Sequence, residues 1–364
     1  MSLMESILRV GSEIGASDIH ITVGRPAIFR INGLLQSLDP GVALKGRDTD
    51  FLQKKLLPAD TLELGKSMMD EAQFQKYLEW GEVDFSYSIA GVGRFRVNVF
   101  KQRGSLAMAM RIIRTQIPSL GELDLPEVIG SLARRPRGLV LVTGPTGSGK
   151  STTLAAMVDL INSETKSHII TLEDPIEYLH FHKQSIVNQR EIGLDALSFA
   201  KALRAAMRED PDVILVGEMR DLETIGTAIT AAETGHLVLA TLHTTGAAQT
   251  IDRIIDVFPP HQQQQIRIQL ANTLQGVVCQ QLLPRRDDTG RVVALEIMVV
   301  TPAIRNLIRE GKTHQILSQI QIGGKYGMQT LDMSLRSLVQ RGIVSLEAAG
   351  EKAGDIEIIN KHNL

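Results

Sequence analysis

The run Gly144-Pro145-Thr146-Gly147-Ser148-Gly149-Lys150-Ser151 constrains this chain more than any other stretch. It follows the apolar run Leu139 to Val142 and opens a helical pattern from Thr152 to Leu160. A strand, a glycine-rich turn and a helix in that order satisfy G-x-x-x-x-G-K-[ST] in full. The glycines let the backbone curl so that its N–H groups point inward at phosphate oxygens, and the helix N-terminus adds its dipole. Lys150 is placed to neutralise β- and γ-phosphates, and Ser151 to offer its hydroxyl to Mg²⁺. Gly144 to Thr152 is therefore the expected binding segment for ATP with Mg²⁺.

The surrounding pattern agrees. Short apolar runs at Gly138 to Thr143, His168 to Leu172, Asp212 to Val216 and His236 to Thr241 alternate with helical segments near 150–162, 197–209 and 221–234. That alternation predicts a parallel sheet covered on both faces. From about residue 260 onward helices are expected to dominate, with one strand at Arg291 to Val300 and a helix over 302–311 opened by Thr301-Pro302.

The first third reads differently. Strand alternation at 19–23, 27–33, 83–87, 94–100 and 106–113, with helical spacing over 48–79, predicts an α+β module with a mostly antiparallel sheet. Asn32-Gly33 is a hairpin signal, since both residues tolerate positive φ. A turn-rich stretch from Pro118 to Pro136 separates the two patterns. The expected organisation is an N-terminal domain over 1–117, a linker over 118–136 and an α/β nucleotide-binding domain with a helical C-terminal region over 137–364. The length of 364 residues suits two domains at about 150 residues each.

Composition removes several classes. Thirty-nine Lys+Arg against 41 Asp+Glu leave a net charge of −2, which argues against a chain built to coat nucleic acid. Hydrophobic residues at 43% and charged residues at 22% exclude global disorder. A single cysteine, Cys279, excludes an intramolecular disulfide framework and a cysteine-rich zinc site, and suits a reducing compartment. No run of about 18 apolar residues suggests a membrane-spanning helix, and 1–11 lacks the form of a secretory signal.

Further carboxylates and histidines fall at expected strand ends. Asp212-Val213-Ile214-Leu215-Val216-Gly217-Glu218 is an apolar strand ending in an acid, the form that holds a metal beside a P-loop. An ordinary strand followed by a capping carboxylate has the same pattern. Glu173, Asp174 and Glu177 cluster where ligands bind in open α/β sheets, and one of them could polarise an attacking water. An Asp-Pro turn with solvated acids fits that spacing too. His243 ends a strand, where it could read a γ-phosphate, whereas His236 starts one and reads as packing. Arg94, Arg96, Arg103, Arg111 and Arg114 crowd the N-terminal module, either as a solvated face or as arginines reaching a nucleotide in trans. Arg134-Arg135-Pro136-Arg137 has no interleaved aromatics and reads as linker.

In this order the pieces resemble the type II/IV secretion ATPase superfamily, most of all its type IV pilus retraction motors. Gly15 to His20 resembles the start of that family's PAS-like N-terminal domain, and 144–151 its Walker A. Ile170 to Glu177 resembles its Asp box, Asp212 to Asp221 its Walker B, and Thr234 to Thr245 its His box. Ala303 to Glu310 looks like the segment that marks retraction ATPases. The resemblance implies a PAS-like α+β domain followed by a RecA-like ATPase domain. It implies Glu177 as catalytic base, Glu218 as Walker B acid and metal ligand with Ser151, and His236 with His243 as the His-box pair. Arg96 and Arg111 are its candidates for arginines facing a neighbour's nucleotide. It further implies a homohexameric motor at the cytoplasmic face of the inner membrane, docked on a pilus platform protein, with no direct nucleic-acid contact.

Rival readings are weaker. A DNA-acting RecA-like ATPase is disfavoured by the near-zero charge and by only 4% aromatics. A GTPase needs N-K-x-D, and Asn360-Lys361-His362-Asn363 ends in the wrong residue. An assembly ATPase of the same superfamily usually carries four metal-binding cysteines and an extra domain. A paralogue of the retraction motor fits the same residues, although 303–310 favours the motor itself.

Overall fold

The computed structural model describes residues 2–31, 33–38, 52–113, 115–287 and 290–354. Asn32 of the expected turn, Arg114, the start of the helical stretch at 48–51, and 360–363 lie outside them. The chain divides into two compact units, Met1–Gln116 and Ile117–Leu364.

The first unit contains helices α1 (Leu3–Glu13), α2 (Pro58–Lys66) and α3 (Glu71–Trp80). Its strands are β1 (Asp18–Ile21), β2 (Ile28–Ile31), β3 (Leu34–Ser37), β4 (Glu82–Ile89), β5 (Gly93–Gln102) and β6 (Ser105–Ile112). The strands form one antiparallel sheet in the order β3-β2-β1-β6-β5-β4. Alternate residues of β5 and β6, such as Phe95, Val97, Met108 and Met110, enter a core closed by Met4, Ile7 and Leu8 of α1. Ile31 faces Leu34 across the hairpin, and Gly33 adopts φ +83°, the left-handed backbone that selects glycine. Ser2 and Glu5 cap the start of α1 reciprocally.

The second unit begins with α4 (Glu127–Ala133), a helix inside the stretch that reads as a connector. Then follow β7 (Gly138–Thr143), α5 (Lys150–Glu164), β8 (His168–Glu173), β9 (Ile186–Glu191), α6 (Phe199–Ala206), β10 (Val213–Val216), α7 (Leu222–Glu233) and β11 (Leu237–Leu242). The chain continues through α8 (Ala247–Asp256), α9 (Pro260–Thr273), β12 (Leu274–Pro284), β13 (Arg291–Val299), α10 (Pro302–Arg309), α11 (Ile316–Ile322), α12 (Leu331–Gln340) and α13 (Leu346–Gly350).

Its sheet has seven strands in the order β13-β12-β7-β11-β10-β8-β9. All neighbours are parallel except β13, which runs antiparallel to β12. The central strands bury both faces. Leu139, Leu141, Ile214, Val216, Val238 and Ala240 pack with α7, α8 and α9. Val140, Val142, Val213, Leu215, Leu237 and Leu239 pack with α4 and α5. That explains their near-continuous apolar sequence.

Two strands differ from the sequence expectation. β9 (Ile-Val-Asn-Gln-Arg-Glu) is a sheet edge with polar positions, so it lacks the continuous apolar signal. β12 lies in the region expected to be mainly helical, because a register shift at Leu274/Gly276 and the pair Gln280-Gln281 break its pattern. Among the described residues no helix is long and apolar enough to cross a membrane.

Candidate active site

Parallel strands bring the ends of β7, β11, β10 and β8 to one edge of the sheet, and the loops there hold the residues with chemistry. The loop after β7 curls through three positive-φ glycines: Gly144 at +141°, Gly147 at +78° and Gly149 at +91°. Gly144 admits no side chain: a Cβ there would lie 2.2 Å from the Gln280 carbonyl oxygen and 2.7 Å from Ser148 Oγ. Lys150 opens α5, and its Nζ donates to the Gly144 carbonyl at 2.8 Å and to Pro145 at 3.1 Å. Burial lowers the Lys150 pKa, opposed by the negative fields of Glu218 and Glu177. These fields bring both carboxylates, contributed by different strand ends, within electrostatic reach of one lysine.

A polar residue from the far end of the sequence supports the loop. Gln280 is 2% exposed on β12, and its Nε2 donates to the Ser148 carbonyl at 2.7 Å. Ser148 Oγ is buried with no hydrogen-bond partner. On the helix side, the Thr152 hydroxyl meets the Tyr178 hydroxyl at 2.9 Å, tying α5 to the segment that carries Glu177.

Beyond β8, Glu177 is exposed, and beneath it Glu173 is held from three sides. The Thr171 hydroxyl donates to Glu173 at 2.7 Å, Gln189 Nε2 at 3.2 Å, and the Glu177 backbone N–H also donates to it. Burial nevertheless pushes the Glu173 carboxyl up to about 7. Gln189 also donates to the Tyr178 carbonyl at 2.8 Å. Glu173 thus anchors the turn that presents Glu177.

After β10, Gly217 N–H donates to the Leu172 carbonyl at 2.7 Å and Met219 N–H to Thr241 at 3.1 Å. The turn carrying Glu218 is therefore pinned to strands on both sides. His243 Nε2 lies 2.7 Å from Glu218 Oε1, and Arg220 Nε donates to the same oxygen. Burial alone would raise the Glu218 pKa, but the bonds from Arg220 and His243 outweigh it and hold the carboxyl low.

His236 stands at the opposite end of β11 from His243, and its Nδ1 meets the Ala231 carbonyl of α7 at 2.9 Å. Asp221 caps α7 through the Thr224 N–H at 2.8 Å. Arg96 and Arg111 belong to the first unit, where they face each other across β5 and β6, and Arg111 Nε donates to Asp18 at 3.0 Å. Sequence reasoning did not single out Gln280, Gln189, Tyr178 or Arg220. The polar Gln280 directly after Val277-Val278-Cys279 was the available signal for the first of these.

A family model for type II/IV secretion system proteins matches residues 94–350. The chain belongs to the type II/IV secretion family. Its relatives include the type IV pilus retraction ATPase PilT of Pseudomonas aeruginosa, 50% identical over 95% of this chain and 97% of that one. A twitching motility protein of Neisseria gonorrhoeae is 54% identical over 80% of this chain and 78% of its own length. A crystal structure of the pilus retraction motor PilT with bound ADP superposes with a TM-score of 0.88 at 51% identity, covering 100% of both chains. The architecture of this family is therefore that of the chain: a PAS-like N-terminal domain and a RecA-like ATPase domain.

Proposed function

We propose that this chain is an ATP-hydrolysing motor that powers type IV pilus retraction. The observation that carries the reading is the meeting of Lys150, Glu177, Glu218 and His243 at one sheet edge above a glycine cradle. Its relatives, a pilus retraction ATPase and a twitching motility protein, support the same reading. The cradle from Gly144 to Thr152 suits a polyphosphate, because its glycines leave backbone N–H groups to face the phosphates. Lys150 stabilises charge developing between β- and γ-phosphates. Glu177 is the exposed carboxylate that takes the proton of the attacking water, held in place by the Glu173 anchor.

Mg²⁺ fits the donor set. His243 and Arg220 both engage Oε1 of Glu218 and neither uses Oε2. Ser151 and Glu218 would hold the ion, which supplies charge neutralisation on the phosphates. His243, touching Glu218, links occupancy of the site to the end of β11. Arg96 and Arg111 act on a neighbour's nucleotide in a homohexamer. The ring works at the cytoplasmic face of the inner membrane on a pilus platform protein.

Glu177→Gln tests the core of this. The variant is expected to lose ATP hydrolysis while ADP binding by calorimetry stays within about threefold of wild type. A deletion strain is expected to be hyperpiliated and non-twitching, whereas bald cells would refute a retraction role. Sedimentation of the nucleotide-bound protein is expected to show hexamers.

A further inference from the structure

The helix that follows His243 has no capping side chain of its own. Its N-cap is Gly246, in an extended conformation. The missing acceptor comes from the other end of the sheet. Glu296, on the antiparallel edge strand β13 and 8% exposed, accepts the Ala247 N–H at 2.7 Å. A carboxylate at a helix N-terminus satisfies an orphan donor and meets the positive end of the dipole.

The turn between His243 and α8 is closed by further bonds. Thr250 Oγ1 donates to the Gly246 carbonyl at 2.7 Å, and the Thr244 and Thr250 hydroxyls meet at 2.7 Å. Both ends of the segment from His243 to Ala247 are therefore fixed. One is held by β11, and the other by a buried carboxylate 49 residues further along the chain.

We infer that Glu296 is a positioning residue for the nucleotide site, acting through the Thr244–Ala247 turn to hold His243 against Glu218. The same strand leads through the Thr301 cap into α10, whose Ile304 and Ile308 share a core with Ala247 and Ile251. Residues 303–310 and the His243 turn are thus set by one strand. A displacement of α10 reaches the site by moving the carboxylate that pins α8. This rests on the ATPase reading above.

The test is steady-state ATP hydrolysis by the full chain. Glu296→Met keeps the side-chain volume but removes the acceptor. It is expected to lower kcat between about 10- and 100-fold with ADP affinity unchanged, because the chemical step depends on placement. Glu296→Gln, which retains an oxygen acceptor, is expected to restore most of the rate. Combined with His243→Ala, Glu296→Met is expected to add no further loss, the mark of two residues acting as one unit. Thr250→Val loosens the same turn from the other side and is expected to behave alike, so the idea stays testable where the methionine variant does not fold. Wild-type kcat in Glu296→Met, losses that multiply with His243→Ala, or a parallel fall in ADP affinity would overturn the inference. Absence of hydrolysis by the wild-type chain would instead overturn the ATPase reading.

Discussion

His243 Nε2 and Glu218 Oε1 stand 2.7 Å apart, joining the ends of the neighbouring parallel strands β11 and β10. Because the Glu218 pKa is held below the ordinary carboxylate range, the pair's contribution to stability is present at neutral pH. It is lost only as pH falls through that lowered value. His243→Ala removes one of the two donors and is expected to move the Glu218 titration upward. With the folded value closer to the unfolded one, the loss of thermal stability on acidification should be smaller than in wild type and complete at a higher pH, read from melting curves taken across the acid range.

Gly144→Ala is expected to abolish nucleotide binding. The added methyl would meet the Gln280 carbonyl at 2.2 Å, and the backbone at φ +141° is closed to alanine. Calorimetric titration with ADP should show no heat, while far-ultraviolet circular dichroism remains that of the folded chain.

Gln280→Leu leaves the Ser148 carbonyl buried without its donor. A stranded buried acceptor costs about 1–3 kcal/mol. The expected outcome is a lower melting temperature together with weaker ADP affinity, since the lost bond ties β12 to the glycine loop proposed to hold phosphate. A stability loss with unchanged affinity would mean that Gln280 serves the sheet alone.

Glu173 titrates in the opposite sense to Glu218. Burial raises its pKa from 4.5 to about 7, so between those values the folded chain binds the extra proton and the unfolded chain does not. Its stabilising contribution is complete below the lower value and fades as pH rises through the upper one. Glu173→Gln is neutral throughout. The difference in melting temperature between variant and wild type should therefore shift in the variant's favour as pH rises across that window, and a flat difference would contradict it.

Much of this was legible in the sequence because the physics is local. The phosphate loop announces itself through glycines that only one backbone shape requires, and β7, β8, β10 and β11 through unbroken apolar runs that two covered faces demand. The expected positions of Glu177, Glu218 and His243 follow too, since they lie in the loops just after β8, β10 and β11 on the same edge. Two parts were hidden. β9 and β12 gave no strand signal, one for its polar edge and the other for a bulge and two glutamines. Gln280 and Glu296 depend on which strands become neighbours, and no spacing along the chain encodes that. The two arginines of the first unit were visible as residues, while their pairing across β5 and β6 needed the register.

The Gln280–Ser148 bond spans 132 positions of sequence. During synthesis the glycine loop and α5 leave the ribosome well before β12 can dock beside β7. Until then the loop lacks its floor and the Ser148 carbonyl its partner. The support of the glycine loop thus arrives late, with the closing of the sheet, and a chain that stops short of β12 is expected to carry the motif on an unsupported loop.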